Sequence, residues 1–335
     1  MFFMSNESLS PLLKSSPVIT RHPANPILSP KDIPYEASLI FNAGVCKYEG
    51  RYVMVFRNDY GYEKGKGFKG TNMGLAVSHD GLHWDVSPKP CFSLESDEIF
   101  RAYDPRLTVM DGKVYMCFAV DTRHGVRGGI AVTEDFEKFD ILSLSAPDNR
   151  NMVLFPEKTG GLYTRLERPF PVYSRGGSDR FDLWLSKSPD LRYWGDTELV
   201  LAVEHVPYAN NKIGPGAPPV LTGAGWLTTF HGVDIDRSRG KNGWEPLWQK
   251  RYYGGIMLLD REEPSRVLGM SKLPLLSPET GYERDGFRND VIFPGGMILE
   301  ETGEVKIYYG AADTVECLAT AHVDDLIGLC SQARD

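Results

Sequence analysis

Hydrophobic and polar residues alternate over short runs along nearly the whole chain, and a glycine-containing turn precedes each run. Five such units recur: Glu49-Gly50 before RYVMVFRND, Asp111-Gly112 before KVYMCFAVD, Gly160-Gly161 before LYTRLERP, Ala224-Gly225 before WLTTFHGVD, and Thr302-Gly303 before EVKIYYGAAD. Runs rich in Val, Tyr and Phe and bounded by Gly turns predict β-hairpins. A further strand and a polar turn follow each of the first four: LAVSHDGLHWDV, IAVTEDFEKFDIL, LWLSKSPDLRYWGD and IMLLDREEPSRVL; LATAHVDDLIGL follows the fifth. Long helical periodicity is almost absent. The turns fall at intervals of about 50 to 80 residues, near the size of a four-stranded blade. The prediction is an all-β fold, a five-bladed β-propeller with a central funnel; a β-sandwich fits this alternation less well. Nothing divides residues 18–335, which are expected to form one catalytic domain. Residues 1–17 read as a mobile tail, and the last strand is expected to close the ring with residues near the start.

Composition narrows the function classes. The 335 residues suffice for a large core without staples. A net charge of -8 argues against a nucleic-acid partner, because phosphate backbones need a basic field. No window approaches the roughly 18 apolar residues of a membrane span, so no membrane partner is expected. The opening MFFMSNESLSPLLKSSP lacks the basic start of a signal peptide, which points to the cytoplasm. The five cysteines are scattered and form no CxxC pair, so neither a zinc site nor a disulfide framework is suggested. Cys46 and Cys117, in apolar runs, are expected to be reduced core thiols. The carboxylates are not clustered at ligand spacing, so no metal and no cofactor are expected.

The strands after the glycine turns are taken as the inner ones, converging on the axis. Each ends in polar residues that a purely structural strand does not need: Arg57-Asn58-Asp59, Asp121, Arg165 to Arg168, His231-Gly232-Val233-Asp234, and Asp313-Thr314. The runs Tyr103-Asp104-Pro105-Arg106, Asp148-Asn149-Arg150-Asn151 and Asn211 to Gly216 read as loops that add to them. Taken singly, each residue has a plain structural use. An Asp before Pro caps a turn, a lone His sits satisfied in a core, and an Arg pairs at a surface. Convergence changes the balance, since cations and carboxylates fall at equivalent places in successive repeats beside glycines that admit close approach. Such a funnel suits an anion together with a polyhydroxyl ligand. Tyr60, Tyr62, Trp244, Trp248, Tyr252 and Tyr253 are candidates to stack on sugar rings.

These runs together resemble glycoside hydrolase family 130, the β-mannoside phosphorylases and related β-mannosidases. The matching segments are FNAGV (41–45), VFRND (55–59), YDPRL (103–107), DNRNMVLFPEK (148–158), KIGPG (212–216), FHGVD (230–234), FPGG (293–296) and YYGAADT (308–314), in the family's order. The resemblance implies a five-bladed propeller. It implies that Asp104 is the catalytic acid, that Arg150, Asn151, Lys212 and His231 hold inorganic phosphate with Arg57 close by, and that Asn42, Asp59, Arg106 and Asp313 contact the mannosyl unit or support Asp104. It also implies an inverting reaction giving α-mannose 1-phosphate, with the proton passing through the mannosyl 3-hydroxyl. The implied partners are a small oligosaccharide and phosphate; assembly into a homo-oligomer is left open.

The chemistry is consistent with that set. An inverting hydrolase needs an acid and a base that activates water. A phosphorylase needs the acid alone, because its nucleophile arrives ionised and requires positioning by cations. Retention of Arg150, Lys212 and His231 favours phosphorolysis. The alternatives are an inverting β-mannosidase with Glu283 or Asp290 as base, and a non-catalytic sugar-binding propeller. The chain departs from the family's usual runs at Met152, at Pro215 in KIGPG, at Arg288-Asn289-Asp290, and in the segment 236–251. These departures bear on the acceptor and linkage more than on the reaction.

Overall fold

The alternating runs fold into five antiparallel sheets, the blades of a propeller. The computed structural model describes residues 13–171, 180–235 and 250–331. Each blade opens on a strand at the axis: Leu39–Tyr48, Ile99–Met110, Asn149–Leu154, Lys212–Pro215 and Ile292–Leu299. The chain then turns back into a second strand: Arg51–Tyr60, Lys113–Thr122, Tyr163–Pro169, Gly225–Ile235 and Glu304–Ala311. The first two reversals are two-residue turns with both residues left-handed, φ 50° and 74° at Glu49-Gly50 and 49° and 72° at Asp111-Gly112. This geometry matches the twist of the strands it joins, and Gly adopts it without a Cβ clash.

The structure corrects one expectation. The strands after the glycine turns are second in their blades, not innermost. The innermost strands carry FNAGV, YDPRL, NRNM, KIGP and FPGG, so these runs are strand segments rather than loops. A hairpin signal is local and reads the same from either strand, whereas the axial position is decided by packing between blades. Arg106 shows this packing. Its guanidinium donates to the carbonyls of Asn42, Pro105, Gly216 and Pro294, joining blades one, two, four and five at the axis.

A second repeat closes the outer edge. The Ser78, Thr133 and Ser188 hydroxyls accept the amides of Gly81, Phe136 and Leu191, each of which has positive φ. Asp80, Asp135 and Asp190 accept two amides each just beyond. The same side-chain-capped turn thus recurs in three blades.

The core follows from the blade geometry. Apolar clusters fill the blade-to-blade interfaces, such as Val55, Met73, Leu107 and Met116 between blades one and two, and Met110, Cys117, Met152 and Leu154 between two and three. Cys46 and Cys117 are buried in these layers. The ring closes as expected. Thr20–Arg21 pairs with Val315–His322 as the outermost strand of blade five. Arg21 is locked to the buried Glu283 at 2.7 Å, and the Tyr309 hydroxyl donates to the same carboxylate. Of the tail read as residues 1–17, the first twelve lie outside the described residues. Ser15 and Ser16 hydrogen-bond to the segment 274–279. The segment 236–249, with Trp244 and Trp248, also lies outside them. Among the described residues no helix is long and apolar enough to cross a membrane.

Candidate active site

Three innermost strands carry a β-bulge at the same place. The register jumps between Phe41 and Gly44, between Tyr103 and Arg106, and between Arg150 and Val153. The first bulged residue is left-handed each time: Asn42 (φ 55°), Asp104 (φ 56°) and Asn151 (φ 58°). Asn and Asp tolerate this conformation better than other side chains do, and bulges re-aim side chains next to functional sites. Here the bulges turn Asn42 and Asp104 into a cavity of about 610 Å³ at the mouth of the ring. The second strands reach the same mouth. Arg57, Arg168 and His231 occupy equivalent positions, opposite Phe41, Arg150 and Gly214.

Asp104, its side chain 9% exposed, is held from two sides. The Asn42 amide donates to its Oδ1 at 3.0 Å and Arg57 approaches the same oxygen at 3.4 Å. Burial works against its ionised form. The guanidiniums of Arg57, Arg106 and Arg150 and the Asn42 hydrogen bond outweigh that, and hold the carboxyl below its ordinary range. Arg57 is clamped in turn by Asp59 (2.7 and 3.0 Å), which also accepts from Thr71. Asp313 accepts from Arg288 at 3.1 Å. Its pKa is raised, first by burial and also by Asp104, against the pull of Arg288 and Arg57.

The opposite wall is cationic. Arg150 donates to the Tyr103 hydroxyl at 3.1 Å, and its Nε has no partner among the described residues. Arg168 contacts His231 Nε2 at 3.1 Å, and its Nε likewise has none among them. Lys212 extends over the Tyr252 ring. Among the described residues neither Lys212 nor Arg168 has a carboxylate partner. Burial and the neighbouring Arg168 and Arg150 push the Lys212 pKa well below its ordinary value. Burial and Arg150 bring Arg168 down to about 9. His231 is fully buried, packed 4.6 Å from the Phe293 ring. Burial and the surrounding cations hold it well below its usual pKa, so the imidazole is neutral.

Of the residues singled out from sequence, Asp104, Arg57, Arg150, Lys212, Asn42, Asp59 and Asp313 line the cavity. Asn151, Arg106 and His231 do not. His231 backs Arg168 from beneath, and Arg106 spends its guanidinium on main-chain carbonyls under the floor. Glu283 and Asp290, the bases considered for hydrolysis, also lie off the cavity lining. Arg168, Tyr103 and Arg288 line it without having been assigned a role there, and Tyr252, a stacking candidate from sequence, lines it as well. The signal for Arg168 was its place at the end of a second strand, equivalent to Arg57 and His231. Among the described residues no group of three or more His, Cys, Asp or Glu is placed to hold a metal.

The chain is thus a five-bladed propeller whose cavity sets the Asp104 carboxyl against Arg150, Arg168 and Lys212. Residues 18–332 match the glycoside hydrolase 130 family model, described as beta-1,4-mannooligosaccharide phosphorylase, and the chain belongs to that family. It is similar to the beta-1,4-mannooligosaccharide phosphorylase of Ruminococcus albus, at 34% identity over 92% of this chain and 90% of that one. It is 30% identical to a 1,2-beta-oligomannan phosphorylase of a Thermoanaerobacter species, over 90% of this chain and 96% of that one. The solved beta-1,2-mannobiose phosphorylase of Listeria innocua, in complex with beta-1,2-mannobiose, superposes with a TM-score of 0.79 at 26% identity, covering 94% of this chain and 99% of that one. The chain is thus an enzyme of the phosphorylase type.

Proposed function

We propose that the enzyme is an inverting β-mannoside phosphorylase with Asp104 as general acid and inorganic phosphate as nucleophile. The carrying observation is the wall formed by Arg150, Arg168 and Lys212, three cations that line the cavity with Asp104 and have no carboxylate partner among the described residues. Buried like charges without a counter-ion are costly unless a ligand completes them. A phosphate dianion offers the charge and the acceptor oxygens that such a cluster lacks. Phosphate attacks C1 of the mannosyl unit from the face opposite the leaving sugar. The C1–O bond to that sugar breaks as the Asp104 proton reaches the glycosidic oxygen. The products are α-mannose 1-phosphate and a free acceptor hydroxyl, and Asp104 is left ionised.

The electrostatics give the steps an order. Against burial, Arg57, Arg106, Arg150 and the Asn42 hydrogen bond hold the Asp104 carboxyl below its ordinary range. Phosphate bound beside Arg150 weakens that field, so the carboxyl rises and carries a proton once the nucleophile is in place. Hydrolysis needs a free carboxylate to activate water. Asp59 and Asp313, which share the cavity with Asp104, are each bonded to an arginine. The relatives act on both β-1,4- and β-1,2-linked mannosides, and β-linked mannosides are the substrate class read for this chain. The reverse reaction tests the reading: α-mannose 1-phosphate with a panel of acceptor sugars is expected to release phosphate and give a β-mannoside whose linkage identifies the natural substrate. If no acceptor among mannose, glucose and N-acetylglucosamine releases phosphate, the reading fails.

A further inference from the structure

Asn42, which donates to Asp104, has a left-handed backbone, and that backbone is gripped from outside the cavity. The peptide between Asn42 and Ala43 is gripped at both ends. The Asn42 carbonyl accepts from Arg106 Nη1 at 3.1 Å. The Ala43 amide donates to Oε2 of Glu316 at 3.2 Å, and the Asn42 amide faces the same carboxylate. Glu316 is fully buried on the third strand of blade five and does not line the cavity. Its Oε1 has no hydrogen-bond partner among the described residues. Two glycines let blade five approach this closely. A Cβ on Gly295 would lie 2.1 Å from the Ala43 carbonyl oxygen, and one on Gly310 would lie 2.4 Å from Asn42 Oδ1. Gly310 is the register partner of Glu316 across the sheet. Gly44 plays the same part toward blade two, where a Cβ would come within 2.9 Å of the Pro105 carbonyl and the Arg106 backbone. The bulge bearing Asn42 and the bulge bearing Asp104 are therefore packed backbone to backbone, with Glu316 behind the first.

We infer that Glu316 is a positioning residue for the reaction: its buried carboxyl fixes the Asn42–Ala43 peptide, and through it the Asn42 amide that orients Asp104. A carboxyl sealed away from solvent is destabilising unless something in the fold uses it, and its hydrogen bonding is directed at this bulge. The inference rests on the reading of Asp104 as the acid. It extends the acid's support from its own blade, through blade one, into blade five.

The test is a double-mutant cycle on phosphorolysis of a mannobiose. Asn42→Ala and Glu316→Ala are each expected to lower kcat by about tenfold or more, with the KM for phosphate unchanged within about twofold. In the Asn42→Ala background, Glu316→Ala is expected to cost nothing further, because its effect passes through Asn42. Multiplying losses, or a loss confined to the phosphate KM, overturns the inference. If Glu316→Ala does not fold, the isosteric Glu316→Gln carries the same cycle. A kcat loss that vanishes in the Asn42→Ala background supports the inference, whereas no loss, or a loss that persists there, overturns it. Asp104→Asn is measured alongside. An active Asp104→Asn enzyme would sink the underlying reading, whatever Glu316 does.

Discussion

The two walls of the funnel are built from similar residues and balanced in opposite ways. On the side of blades five and one, Arg57 is chelated by Asp59 and Arg288 is bonded to Asp313. On the side of blades three and four, Arg150, Arg168 and Lys212 line the cavity with no carboxylate partner among the described residues. The first wall can exist empty, since each charge has its counter-charge. In the second, burial first and the neighbouring cations after it lower the pKa of Lys212 and Arg168. A paired wall presents fixed donors and acceptors to hydroxyl groups, and an unpaired cationic wall waits for an anion. Asp104 sits between them, bonded to Asn42 and Arg57 on one side and sensing Arg150 on the other.

The largest expected effect is at the boundary between the walls. Asp104→Asn should lower kcat by about 10²–10⁴-fold, the usual contribution of general acid catalysis, and leave phosphate binding intact. Steady-state kinetics paired with a phosphate thermal shift checks both halves. Next come the walls themselves. Arg168→Ala or Lys212→Ala should raise the apparent KM for phosphate by about tenfold or more, the worth of a charge-assisted hydrogen bond, and change the sugar KM little. Arg288→Ala should do the reverse. If the cationic-wall variants alter only the sugar KM, the division of labour is wrong. Phosphate at about 100 times its Kd should also stabilise the protein by about 2.7 kcal/mol, an effect Lys212→Ala should weaken.

The smallest effect is on stability alone. Burial, opposed by the Ala43 amide and Arg106, pushes the Glu316 carboxyl up to about 8 from an ordinary 4.5. The folded state therefore binds more protons than the unfolded chain between those values. Stability from this group is full below about pH 4.5 and is lost as pH rises through about 8. Thermal melts at about pH 5 and pH 8 should differ less in Glu316→Gln than in the wild type. An unchanged difference would contradict the buried, proton-binding assignment.

Much of this architecture was legible in the sequence because it is local. The glycine turns and the strands they join are set by neighbouring residues, and five of them gave five blades. The axis was not legible, since its contacts join residues such as Arg106 and Pro294 from distant blades. The bulges were hidden for a related reason. Asp104-Pro105 carries a turn signal, and in the structure that irregularity is absorbed within a strand. Arg168 shows the limit of resolution inside a run. Arg165 and Arg168 stand three apart, so they point to opposite faces of one strand. Arg165 turns to Glu167 and the Trp194 ring, while Arg168 turns to the cavity. Glu283 read as a spare carboxylate because its partner, Arg21, comes from the other end of the chain.

The central claim is that the unpaired cations hold phosphate as the attacking group. It is tested most directly by following a mannobiose with purified enzyme, with and without inorganic phosphate, and quantifying mannose 1-phosphate and free sugar by NMR. The account predicts one α-mannose 1-phosphate for each bond cleaved, and negligible cleavage in phosphate-free buffer. Release of mannose at the same rate without phosphate would contradict it.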